Sequence, residues 1–210
     1  MLKHVIFDFD GTIVNSISLV IKIGNQLALK YGFSEITEED IKALKYLSIE
    51  ERLKKYGIKL YKLPGLVVEF NKNYRNFVRT LELIDGIENL IISLKDEKLN
   101  LGIVSSNAVN NISEFLKNSK LSSFDNIYSS KGLFGKHSSI KSYLKRYNIN
   151  EDDVVYIGDE LRDINACKRA GIRIISVTWG FDPVELLLKG YPDFIANSPD
   201  EVLNYIKSIR

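Results

Sequence analysis

With 210 residues, 45% hydrophobic and 27% charged, the chain has enough mass to bury one core domain plus an insertion, and the composition of an ordinary globular protein. Its 29 Lys/Arg against 27 Asp/Glu leave a net charge of +2, which argues against a dedicated nucleic-acid binder. No apolar run approaches the roughly 18 residues that span a bilayer, and the first residues read as a charged strand rather than a signal peptide, so no membrane partner and a cytoplasmic setting are expected.

The first element is the apolar run Val5-Ile6-Phe7, a strand that ends in Asp8-Phe9-Asp10-Gly11-Thr12. Alternate side chains of a strand share a face, so Asp8 and Asp10 project to one side of its end, and Gly11 lets the chain turn away. Two carboxylates held that close repel unless a cation lies between them or one keeps a proton, and both situations are commoner in active sites than in scaffolding. Taken alone, the same five residues are equally a strand followed by an ordinary Asp-Gly turn.

Residues 15–80 lack strand-like alternation. Ile17, Val20, Ile21, Ile23, Leu27 and Ala28 recur at helical spacing, with turn signals at Tyr31-Gly32, Tyr56-Gly57 and Pro64-Gly65 and an N-cap at Thr37 before Glu38-Glu39-Asp40. This segment is expected to be an inserted, all-helical module. It carries 12 Lys/Arg against 7 Asp/Glu, whereas the remainder carries 17 against 20. Most surface lysines only solvate helices; the alternative is a basic lid drawn toward an anionic substrate.

From Asp85-Gly86 onward helices and strands alternate. Strands are expected at 100–105, 126–129, 153–158, 173–178 and 193–196. Helices are expected near 87–97, 109–118, 138–147, 162–170 and 183–189, with a last one led by Ser198-Pro199-Asp200. Such alternation predicts an α/β fold, a Rossmann-like parallel sheet with helices on both faces, built from residues 1–14 and 81–210. Ligands of such sheets bind beyond the carboxyl ends of the strands, where strand order reverses. Asp8, Ser105 and Asp159 all fall on that edge.

Four motifs stand in order: Asp8-x-Asp10-Gly11-Thr12, Ser105 at a strand end, Lys136 opening a helical segment, and Gly158-Asp159-x-x-x-Asp163. Together they resemble the motifs of the haloacid dehalogenase superfamily in its phosphatase branch. Trp179-Gly180-Phe181 is similar to phosphoglycolate-phosphatase-like members. The resemblance covers the whole chain and implies a helical cap over residues 15–80. It also implies a phosphatase that acts on a small anionic phosphomonoester with Mg²⁺, phosphoglycolate being the favourite.

Under that resemblance Asp8 is the nucleophile, forming an aspartyl phosphate, and Asp10 the general acid and then base. Lys136 sets a positive charge beside Asp8 and the phosphate, with Lys131 as its competitor. Ser105, with the backbone N–H groups of Ser106 and Asn107, grips a phosphoryl oxygen; its alternative is a Ser that merely caps the next helix. Asp8, the backbone carbonyl of Asp10 and Asp159 hold the metal, with Asp163 in support through water or Lys136. The prolines that commonly follow the motif lysine are missing after Lys136. Cap residues touching the leaving group are expected near Asn15, Ser16 or Arg52.

Other residues are assigned to packing. Cys167, the only cysteine, excludes an internal disulfide and reads as a core residue; His4 and His137 are too few for a histidine-based triad or zinc site. Trp179 and Phe181 are expected to pack under the sheet edge, and Glu160 to touch the metal shell or simply neutralise Arg162. A sugar-phosphate mutase shares both aspartates and the helical cap. A non-catalytic phosphate-sensing or partner-binding module is the reading of a different class. A dehalogenase is disfavoured because that branch lacks the second aspartate. No oligomeric state follows from the sequence.

Overall fold

The computed structural model describes all residues except Lys45, Ser48, Lys120, Ser122 and 131–134, and of Glu38, Lys42 and Ile49 only the backbone. Lys131, the competitor of Lys136, lies outside the described residues. The strands are β1 (His4–Phe7), β2 (Asn100–Ser105), β3 (Asn126–Ser129), β4 (Val154–Gly158), β5 (Arg173–Val177) and β6 (Phe194–Ala196). They form one parallel sheet in the order β3-β2-β1-β4-β5-β6. The expected α/β Rossmann-like fold is therefore what the chain adopts.

Period-two alternation explains the layers. Val5, Phe7, Leu101, Ile103, Val155, Ile157, Ile175 and Val177 face one way, onto α5 (Ile87–Asp96), α6 (Val109–Asn118) and α10 (Pro199–Ser208). Ile6, Val104, Val154, Tyr156 and Ile174 face the other, onto α7 (Lys136–Tyr147), α8 (Leu161–Ala170) and α9 (Val184–Lys189). The central strands are buried on both faces, which is why they read as continuous apolar runs. Truncating one such fully buried side chain, as in Phe7→Ala, is expected to cost about 3–5 kcal/mol.

Register sets the active edge. His4 lies opposite both Asn100 and Val154, and Phe7 opposite both Ile103 and Ile157, so the three central strands run level. Asp8, Ser105 and Asp159 consequently emerge together at their carboxyl ends. Strand β1 has β2 on one side and β4 on the other, so this is also where the order reverses.

Between β1 and α5 lie four α-helices, α1 (Ile17–Tyr31), α2 (Glu38–Leu44), α3 (Ile49–Lys55) and α4 (Leu63–Phe77), with two short 3₁₀ turns and no strand among the described residues. The two chain crossings into this insertion are tied to each other. Asn15 N–H donates to Glu82 O and Ile84 N–H to Ile13 O, both at 3.0 Å, and Val14 pairs antiparallel with Leu83. Inside it, α1 and α4 pack on each other. None of the described helices is long and apolar enough to cross a membrane.

Candidate active site

Asp8 sits one residue past β1. Its N–H still donates to Ile157 O at 2.8 Å, which extends the ladder and draws the side chain below the surface, only 2% exposed. Helix α7 begins at Lys136, two residues before the start expected near 138, and the side chain at that first position is buried. Lys136 Nζ lies 2.5 Å from Asp8 Oδ2 and 2.5 Å from Asp163 Oδ1. Burial works to lower the lysine pKa, but the charges of Asp163 and Asp8 outweigh it and hold the ammonium above its ordinary range.

Asp163 is placed by the start of α8. Glu160 is the N-cap and Asp163 the third helical residue, and their side chains and backbone N–H groups bond reciprocally in a capping box. One box therefore delivers two carboxylates to the end of β1. Oxygens of Asp8, Glu160 and Asp163 lie within 4.8 Å of one another, a set of hard donors that fits a divalent cation such as Mg²⁺. Burial pushes Asp163 up to about 6, with the charge of Asp8 adding to the rise and those of Lys136 and Arg162 opposing it.

Asp159 occupies a tight seat of its own. Its Oδ1 accepts from Thr12 Oγ1 at 2.8 Å and its Oδ2 from Phe181 N–H at 2.7 Å. A Cβ at Gly11, where φ is +77°, would stand 2.3 Å from Asp159 Oδ2, and one at Gly180 only 2.1 Å from Asp159 Cβ. These glycines make room for the carboxylate, and Asp159 stands outside the three-carboxylate group. Burial, then the charges of Glu160, Asp8 and Asp163, push its pKa well above the usual carboxylate range.

Asp10 faces the insertion. Its Oδ1 accepts from Tyr74 Oη of α4 at 2.6 Å and its Oδ2 from Asn107 Nδ2 at 2.9 Å. Burial raises its pKa, and hydrogen bonds from Tyr74, Ser16 and Asn107 partly offset that rise. The chain after β2 is held by its own side chains. Ser105 Oγ accepts from Asn107 N–H at 3.2 Å, and Asn107 Oδ1 from Ala108 N–H at 2.8 Å and Asn111 Nδ2 at 3.0 Å.

Two cavities flank these residues. One of about 390 Å³ lies between α3 and the start of α8 and is bordered by Arg52, Lys136, Glu160 and Arg162. Among the described residues of the insertion, Arg52 is a cation that reaches this edge. Its guanidinium lies 3.4 Å from Asp182, 3.8 Å from Glu160 and 4.4 Å from the centre of the Phe181 ring. Several other basic residues of the insertion are occupied elsewhere: Lys30 with Glu69, Lys55 with Asp40, Arg75 and Arg79 with Glu114. The second cavity, about 290 Å³, lies within the insertion and is bounded on the core side by Asp10, Ser106 and Asn107.

The structure thus brings Asp8, Lys136 and Asp163 into contact and gathers Asp10, Ser105 and Asn107 beside them. Sequence reasoning passed over Tyr74, whose role nothing in its helical spacing marks, and Thr12, whose hydroxyl seats Asp159. Phe181 does more than pack, since its N–H holds Asp159, while Trp179 Nε1 donates to Thr12 O at 3.2 Å. Cys167, on α8, is fully buried in the core, as expected of a packing residue.

The family model described as haloacid dehalogenase-like hydrolase matches residues 5–177. A phosphoglycolate phosphatase of Synechococcus elongatus is 29% identical over 209 residues, covering 99% of each chain. A pyrophosphatase, PpaX, of Listeria monocytogenes is 28% identical over 220 residues, covering 98% of this chain and 97% of the relative. The crystal structure of a predicted phosphatase from Clostridium acetobutylicum superposes with a TM-score of 0.86 at 25% identity over 99% of both chains. With the acids and Lys136 at the switch point of a parallel sheet and a family match over most of its length, the chain belongs to the haloacid dehalogenase-like hydrolases, as a phosphatase of their phosphoglycolate-phosphatase-like branch.

Proposed function

We propose that the protein hydrolyses a small phosphomonoester through Asp8, with residues 15–80 acting as a cap over a core made of 1–14 and 81–210. The observation that carries this reading is the buried Lys136 ammonium, 2.5 Å from both Asp8 and Asp163 at the sheet's switch point. A cation so placed offsets charge where an anionic phosphoryl group must approach an anionic carboxylate.

In this reading an Asp8 oxygen attacks phosphorus and the ester P–O bond breaks. The departing alkoxide takes its proton from Asp10, held beside it by Tyr74 and Asn107. Water then attacks the phosphorus of the acyl phosphate, giving its proton to Asp10 and releasing inorganic phosphate and the Asp8 carboxylate. Ser105, with the N–H groups of Ser106 and Asn107, orients the phosphoryl oxygens.

Asp8 and Asp163, the backbone carbonyl of Asp10, and Asp159 or Glu160 as the third carboxylate would hold Mg²⁺. When bound it supplies charge neutralisation between nucleophile and substrate. Relatives' names put phosphoglycolate and pyrophosphate into the substrate panel beside sugar phosphates, and a cytoplasmic setting belongs to the same proposal.

The test is turnover of a generic chromogenic phosphomonoester with Mg²⁺. Chelation and Asp8→Asn should each abolish it while the circular dichroism of the fold is kept. Full activity of Asp8→Asn would overturn the mechanism, and a requirement for a bisphosphate activator would point instead to a mutase.

A further inference from the structure

We propose that the substrate's leaving group is an apolar alcohol, seated in the cavity inside the four-helix insertion. The inference rests on the phosphomonoesterase reading and names its substrate class. Asp10, Ser106 and Asn107 line the cavity on its core side, and Asp8 is not among its lining residues. A leaving group protonated by Asp10 and directed away from phosphorus therefore enters this space. At about 290 Å³ it has room for about eight to ten non-hydrogen atoms, taking roughly 30 Å³ for each.

Its walls are chemically one-sided. Leu27, Phe33, Ile58, Leu66 and Phe70 dominate, and among the described lining residues Asp10 is the only one with a charge. A second anionic group on the leaving side, the carboxylate of phosphoglycolate or the other phosphate of pyrophosphate, would be stripped of water there with Asp10 nearby and no cation among the described lining residues. Lys62 and Lys55 lie over the Phe33 and Tyr56 rings, 5.4 Å and 5.8 Å from their centres, and Lys55 is paired with Asp40. The cations near the active edge belong to the other cavity and already face acids: Arg52 with Asp182 and Glu160, Arg162 with Glu160.

Gly24 is a second, independent sign that the space is kept open. It lies inside α1, where glycine weakens a helix relative to alanine, and it borders the cavity. Packing does not require it, because a Cβ there would meet nothing nearer than Ile36 Cδ1 at 3.6 Å. A longer side chain at this position would have only the cavity to occupy.

The experiment measures kcat/KM for a homologous series of n-alkyl phosphates from methyl to decyl, beside acetyl phosphate, phosphoglycolate and pyrophosphate. We expect kcat/KM to rise about three- to fourfold per methylene until the cavity is filled, and phosphoglycolate to fall below propyl phosphate. Gly24→Leu should shorten the optimal chain by about two or more carbons, a length readout that Gly24→Ala should leave nearer to the parent. A flat or falling profile with methyl and acetyl phosphate still turned over, or phosphoglycolate exceeding every alkyl ester, would overturn the inference alone. Loss of turnover of every ester and of acetyl phosphate would overturn the phosphatase reading and this inference with it.

Discussion

Tyr74, on the last helix of the insertion, donates its hydroxyl to Oδ1 of Asp10 at the end of the first core strand, 2.6 Å away. The tyrosine is fully buried. The pair is a direct bond between the insertion and the carboxyl proposed as the general acid, so a movement that separates α4 from the end of β1 breaks it.

Tyr74→Phe tests this bond while keeping the ring. Burial raises the Asp10 pKa and the Tyr74 hydrogen bond opposes that rise, so its loss moves the pKa further up. A general acid is active while protonated, so the basic limb of the kcat profile should shift to higher pH, with kcat about tenfold lower from loss of positioning. A pH–rate profile identical to the parent would show that the bond does not act on Asp10.

Lys136→Met removes the ammonium and keeps most of the stem volume. We expect kcat to fall by about two to three orders of magnitude. Asp8 and Asp163 are left buried and unpaired, so stability should drop by about 3–5 kcal/mol. Adding Asp163→Asn should recover part of that stability in a denaturant titration and none of the activity. Recovery of both would make Lys136 a structural residue.

The third carboxylate of the proposed Mg²⁺ site is decided by comparing Asp159→Asn with Glu160→Gln. Glu160 already faces Arg162 and Arg52, whereas the seat of Asp159 is fixed by Thr12 and Phe181. Asp159→Asn is therefore expected to raise the Mg²⁺ concentration for half-activity about ten- to a hundredfold, and Glu160→Gln less than about threefold. The opposite ranking assigns the ligand to Glu160, the member of the observed three-carboxylate group.

Stability should depend on pH in a metal-sensitive way. Burial pushes Asp163 and Asp182 up to about 6, above the value of an exposed carboxylate. A raised carboxyl contributes stability that is complete below about pH 4 and is lost as pH rises through about 6, on the order of 3 kcal/mol for a two-unit shift. At the acid end, Lys55 and Thr37 hold Asp40 at about 2, and Lys3 with the terminal amine holds Asp153 at about 2, so their contribution disappears as pH falls toward that value. In chelator the melting temperature should pass through a maximum between pH 4 and 6, and Mg²⁺ should remove the part of the decline that Asp163 causes while leaving that of Asp182. A melting temperature that climbs to pH 7.5 in chelator would contradict this.

The sequence alone determined the sheet, because β1, β2, β4 and β5 are apolar runs whose burial on both faces is written into their composition, and turn residues mark their ends. It also determined that Asp8, Ser105 and Asp159 share an edge, since parallel strands separated by helices must end on the same side. From spacing Lys136 was legible as a lysine at a helix start, and only the family resemblance set it beside Asp8; its inward turn toward Asp8 and Asp163 depends on how α7 packs against α8 and β2. Tertiary structure alone decided the rest: that Tyr74 meets Asp10 across 64 positions, that Thr12 and Phe181 fix Asp159, and that the insertion encloses an apolar cavity beside the acid. Local propensity acts over a few residues through hydrogen bonds and side-chain period, whereas these contacts join helices of an insertion to loops of the core, and their positions follow from packing that no short stretch of sequence encodes.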